Sequence, residues 1–99
     1  MDFNEIKQKE LSVIYITSQN CNVCKSIFPK LEELVRPFKK CNFTRLETDE
    51  YPEIAGEFMI FTVPGLFIYS KGKELYKAAR FIDLLEVETI ITKYYNIIF

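Results

Sequence analysis

The chain has no histidine, no tryptophan and only three cysteines among its 99 residues. Without imidazole, histidine base catalysis is excluded, and so is most zinc chemistry. An odd number of cysteines does not build a disulfide framework. Zinc would need four ligands, and beyond one close pair of cysteines the sequence offers only Cys41 as a third soft donor. No metal site is therefore expected. No apolar run approaches the roughly 20 residues of a membrane span, and no basic-then-apolar leader opens the chain as given. The expected location is the cytoplasm, where thiols are kept reduced and a permanent structural disulfide is out of place. There is also no strong excess of either charge. A formal net charge of −1 gives no reason to expect nucleic acid or an anionic membrane as partner.

What is present is apolar bulk. Hydrophobic residues make up 48% of the chain and aromatics 15%, with nine Phe and six Tyr. That supply of buriable area offsets the chain entropy of a small protein, so one folded domain spanning 1–99 is expected. Charge is unevenly spread along the sequence. Glu47 to Glu57 carries five carboxylates and no base, whereas Lys71 to Arg80 carries four bases and only Glu74. These are either two solvated faces or a surface that helps choose a protein partner.

The chemistry concentrates in Cys21-Asn22-Val23-Cys24. The pair sits where an apolar strand, Leu11 to Thr17, gives way to an amphipathic helix. Two thiols three positions apart can close a disulfide across the first helical turn. The helix N-terminus favours thiolate over thiol there. In a cytosolic chain with a β-α-β pattern this spacing reads as a redox motif.

Around it the periodicity predicts eight elements. A short helix covers Asp2 to Lys9, and the continuously apolar Leu11 to Thr17 is a central strand buried on both faces. Ile27, Leu31, Leu34, Val35 and Phe38 recur at helical spacing, so a helix runs to about Phe38 with Pro29 inside it, where it should introduce a kink. Asn42 to Thr48 is a second strand. Asp49 to Phe58 reads as a short acidic helix with Pro52 in its first turn. Leu66 to Ser70 and Glu74 to Ala79 are strands joined by a turn at Lys71-Gly72. Asp83 caps a final helix with Glu86 three residues on, as in a capping box, and Leu84, Val87, Ile91, Tyr94 and Ile98 face the core.

This order, αβαβαββα, resembles the thioredoxin superfamily over nearly the whole chain. Pro29 stands eight residues after Cys21, where that family carries its helix-kinking proline, and Lys25 follows the second Cys. Val63-Pro64 stands at the family's cis-proline, and Lys71-Gly72-Lys73 at its last hairpin. The resemblance implies an α/β fold with a central mixed four-stranded sheet flanked by helices on both faces. It also implies a thiol–disulfide oxidoreductase reducing protein disulfides, with Cys21 as nucleophile and Cys24 as resolving thiol. No cofactor is implied beyond the pair itself. Electrons would come from a thioredoxin-reductase-like flavoprotein or a small thiol. Val63 and Pro64 would bind substrate, with the Val63 backbone pairing to an extended substrate strand.

Five positions depart from the family pattern. Asn22-Val23 replaces the usual Gly-Pro, and Asn20 the usual Trp, so the reduction potential does not carry over. Tyr15 stands where the family keeps a buried acid, and a phenol is a poor base at neutral pH. Tyr15 is expected in the core with its hydroxyl finding a partner. Counting from the hairpin, Arg80 falls at a glycine of the family's groove. It is either an ordinary exposed arginine, or one that narrows the groove, draws acidic partners and favours the Cys21 thiolate. Tyr15, Arg80 and Lys25 are therefore candidate modulators. These departures also support an alternative: a thioredoxin-fold module of little turnover that binds a protein at the cis-proline groove. Cys41 is expected at the far end of the motif helix, inert.

Overall fold

The computed structural model describes residues 2–99. Two strands of nearly unbroken hydrophobicity organise it. β1 (Ser12–Thr17) is buried at every position, and β3 (Gly65–Ser70) at every position but its last. Such strands need cover on both faces, and side-chain alternation distributes that cover. Val13 and Tyr15 of β1 join Leu66 and Ile68 of β3 on one face. There they meet Cys24, Leu31 and Val35 of α2 (Asn22–Val35) and Val87 and Ile91 of α4 (Leu84–Ile98). Ile14, Ile16, Phe67 and Tyr69 point the other way. They pack on Phe3 of α1 (Phe3–Lys7) and on Ile54 and Phe58 of α3 (Ile54–Phe58).

The sheet runs β2-β1-β3-β4, with β2 (Asn42–Glu47) and β4 (Lys73–Ala79) at the edges. β1 and β2 are parallel, and β3 pairs antiparallel to both β1 and β4. The mixed four-stranded sheet with helices on both faces is the expected architecture, in the expected element order.

Local chemistry accounts for the boundaries. Asp2 and Asp83 cap α1 and α4 by accepting backbone N–H bonds one turn in. Glu86 does not complete a box with Asp83: the cap rests on the Asp83 carboxylate, which accepts the Leu85 and Glu86 N–H groups. The β3–β4 turn has Lys71 at φ 51° and Gly72 at φ 86°, the paired positive dihedrals that match strand twist. That turn is held from outside, since the Lys71 and Gly72 N–H groups donate to the carbonyls of Lys9 and Lys7.

Three expected helices shorten. α1 is Phe3–Lys7 rather than Asp2 to Lys9. α2 stops at Val35 rather than Phe38, because Pro37 has no N–H to continue the ladder. The acidic helix expected over Asp49 to Phe58 is regular only over Ile54–Phe58. Pro52 disfavours helical backbone at Tyr51, and the segment before it is spent on turns in which Glu50 and Tyr51 both donate to the Glu47 carbonyl.

Candidate functional site

β1 carries the chain to the site and β3 starts beside it. Ile16, near the end of β1, lies opposite Gly65, the first residue of β3, so both meet at one end of the central strands. Beyond β1 the chain turns through Ser18, Gln19 and Asn20. The Asp49 carboxylate pins this turn by accepting the Gln19 N–H at 2.7 Å. The Cys21 N–H then bonds the Ser18 carbonyl at 3.3 Å.

Cys21 is the N-cap of α2. Its extended backbone, φ −97° and ψ 101°, lets Sγ accept the Cys24 N–H at 3.1 Å. A sulfur takes the place of the usual capping oxygen, at a point where helix N–H groups lack partners. The two cysteines are joined as a disulfide with Cα atoms 5.2 Å apart. Cys21 is half-buried, whereas Cys24 is 1% exposed and belongs to the core. The pair is therefore asymmetric, with one sulfur at the surface and one beneath it. Lys25 is exposed. Its N–H closes the first helical bond on the Cys21 carbonyl at 3.2 Å, and it enters neither of the two ion pairs among the described residues.

Tyr15 lies directly beneath. It is fully buried, its ring stacks on Phe28, and its hydroxyl donates to the Cys24 carbonyl at 2.8 Å. Burial pushes the phenol up to about 12, only partly opposed by the Arg45 charge. The expected core tyrosine with a partnered hydroxyl is present. It holds the first turn of α2 and stays protonated at neutral pH.

The Val63–Pro64 peptide bond is cis, as the sequence implied. Pro64 is buried, and half-buried Val63 packs against both core clusters, sharing one of them with Cys21. Among the described residues, neither the N–H nor the C=O of Val63 enters a backbone hydrogen bond. An extended chain arriving there finds one donor and one acceptor free. Behind it, Gly65 leaves room for Ile60, whose Cδ1 would collide with any Cβ at that position.

Arg80 follows the end of β4, and its N–H donates to the Pro64 carbonyl at 2.7 Å. Its φ is 73°, left-handed backbone that suits glycine and strains a branched side chain. The guanidinium is exposed and belongs to neither ion pair. The structure thus brings Cys21, Cys24, Tyr15, Val63, Pro64, Lys25 and Arg80 to the end of the sheet where β1 finishes. Cys41 lies elsewhere. It is free and half-buried just before β2, whose first residue pairs with the start of β1, at the opposite end. Burial pushes its thiol up to about 11, so it is protonated at neutral pH.

Sequence reading missed the apolar rim. Phe61 is 79% exposed, Phe81 83% and Val23 56%. Periodicity treats such residues as core candidates. The available signal was position, since Phe61 stands two residues before Val63, Phe81 directly after Arg80, and Val23 between the cysteines. Asp49 was missed as well, because its bond to Gln19 spans 30 residues.

Comparison with known proteins gives a consistent result. The family model described as Thioredoxin matches residues 2–93. The chain is 33% identical to the thioredoxin-like protein YdfQ of Bacillus subtilis over 94 residues, covering 95% of this chain and 84% of that protein. It is 28% identical to thioredoxin of Staphylococcus saprophyticus, covering 94% and 90% of the two chains. Thioredoxin 1 of Thermosipho africanus superposes with a TM-score of 0.78 at 28% identity, over 87% of this chain and 96% of that one.

Proposed function

The chain belongs to the thioredoxin family and is a thiol–disulfide oxidoreductase of thioredoxin type, and from that premise we propose how its residues divide the work. The carrying observation is the asymmetry of the pair, with Cys21 half-exposed at the cap of α2 and Cys24 buried one turn in. Exchange proceeds through a thiolate. In the dithiol form, the Cys21 thiolate is stabilised by the helix N-terminus and by the Cys24 N–H that its sulfur already accepts.

Cys21 attacks one sulfur of a substrate disulfide. A Cys21–substrate bond forms, the substrate S–S bond breaks, and the first substrate sulfur departs as a thiolate that takes a proton from water. Cys24, having lost its proton to solvent, attacks Cys21 Sγ. The mixed disulfide breaks, the second substrate thiol leaves, and the Cys21–Cys24 disulfide closes. Two electrons have moved from the dithiol to the substrate. A flavoprotein of thioredoxin-reductase type or a small thiol returns them, and no further cofactor takes part.

Val63 holds the substrate strand through its free N–H and C=O, with Pro64 as the floor. Tyr15 positions the Cys24 turn rather than moving protons, and Lys25 adds positive charge to the first turn of α2. The free Cys41 thiol fits a reducing compartment such as the cytoplasm.

Two variants test this assignment. Cys21→Ser abolishes reduction of protein disulfides. Cys24→Ser still attacks but stalls as a mixed disulfide through Cys21, visible by mass spectrometry. Reduction unchanged in Cys21→Ser, or trapping through Cys24 instead, overturns it. A redox titration of the pair settles direction. A couple near about −270 mV belongs to a reductant, and one nearer about −120 to −180 mV to an oxidant or isomerase.

A further inference from the structure

Arg80 occupies backbone that its side chain makes costly. A non-glycine residue at φ 73° is strained, and strain of this kind gathers where a site uses the residue that bears it. Glycine would relieve it at once. What arginine adds is a positive charge on the residue whose backbone N–H bonds the Pro64 carbonyl, one position along from the open backbone groups of Val63.

That charge is unanswered within the protein. Arg80 is exposed and lies outside both ion pairs among the described residues, Lys7–Glu57 and Arg45–Glu47. The acid nearest in sequence, Asp83, is engaged elsewhere, since it caps α4 through the Leu85 and Glu86 N–H groups. The neighbouring base, Lys77, is turned away onto the Met59 carbonyl.

Its position is fixed by the 2.7 Å bond from its own N–H to the Pro64 carbonyl, one residue from the docking backbone. Its chain neighbour Phe81 is 83% exposed, and Phe61, two residues before Val63, is 79% exposed. An exposed cation followed directly by a bare aromatic ring complements an acidic side chain with apolar neighbours.

We propose that Arg80 is a specificity-determining residue that selects disulfide substrates carrying a carboxylate within about two residues of the cysteine attacked by Cys21, flanked by apolar residues. The proposal rests on the oxidoreductase reading and names the substrate class that the site prefers. The guanidinium pairs with that carboxylate while Val63 pairs with the strand backbone, so acidic substrates bind more tightly without a change in the chemical step.

Three disulfide-linked peptides test it, identical except for Glu, Gln or Lys beside one cysteine in an apolar context. They compete in one reaction, read by mass spectrometry. At low ionic strength the wild-type chain should reduce the Glu peptide about fivefold faster than the Lys peptide, through KM rather than kcat. The ratio should shrink in about 0.5 M NaCl. Arg80→Gln brings it to about one, Arg80→Glu inverts it, and Arg80→Lys restores most of it. Arg80→Gly suits the positive φ, so it provides a folded charge-free variant should the polar ones unfold, and it too must lose the preference. A chain that reduces all three peptides equally, or a preference that survives Arg80→Gly or Arg80→Gln, overturns this inference alone. A chain that reduces none of them overturns the oxidoreductase reading as well.

Discussion

Removing one oxygen atom, in Tyr15→Phe, separates positioning from proton transfer. The hydroxyl donates to the Cys24 carbonyl at 2.8 Å from a fully buried ring. A bond of this kind contributes about 1 kcal/mol net. The carbonyl is not orphaned when it goes, because helix geometry in α2 gives it the Phe28 N–H as well. The ring also keeps its stack on Phe28, at 5.9 Å between centroids. The expected loss is therefore about 1 kcal/mol, or a fall of about 4–8 °C in melting temperature for a chain of this size. With the phenol held at about 12, only about one molecule in 10⁵ carries phenolate at pH 7, which is too few for a base. Resolution of the mixed disulfide should then change by no more than about twofold. The assay pairs a thermal melt with stopped-flow release of the substrate thiol. Resolution slowed more than about tenfold, with the melting temperature unchanged, would refute the argument and make Tyr15 a proton carrier.

Two further predictions follow from the same geometry. Burial raises the Cys41 thiol from 9.0 to about 11, so its stabilising contribution is complete below pH 9 and is lost as pH climbs through 11. Urea unfolding at pH 8 and pH 11 should show wild type losing more stability across that interval than Cys41→Ala; equal losses would mean that the thiol is not buried as described. Asp83 accepts the Leu85 and Glu86 N–H groups at 3.0 and 3.3 Å, so Asp83→Ala should cost about 1 kcal/mol in the same unfolding measurement, and a change under about 0.3 kcal/mol would contradict the cap.

The legible parts of this protein are those that depend on neighbours in sequence. β1 and β3 announce themselves as apolar runs, α2 and α4 by their spacing, and Lys71-Gly72 by turn chemistry. The redox pair is equally local, because three residues of separation and a helix start are enough to bring two sulfurs together. Resemblance placed Val63-Pro64 and Arg80 by counting, implied substrate binding for the first and left two readings for the second.

Long-range packing decided the rest. The acidic segment looked helical from its composition, but Pro52 and the turns anchored on the Glu47 carbonyl left only Ile54–Phe58 regular. Glu86 was spaced for a capping box, yet the cap of α4 rests on the Asp83 carboxylate. Phe61 and Phe81 carried no periodic signal of their placement; both cores are filled without them, so they remain at the surface. The positive φ of Arg80 and its bond to the Pro64 carbonyl exist only because β4 ends against the start of β3. Sequence alone determined that the chain carries a redox pair on an α/β scaffold, since adjacency and periodicity are local quantities. Only the tertiary structure decided which sulfur faces solvent and which charge stands beside the docking backbone, because burial is a property of the whole fold.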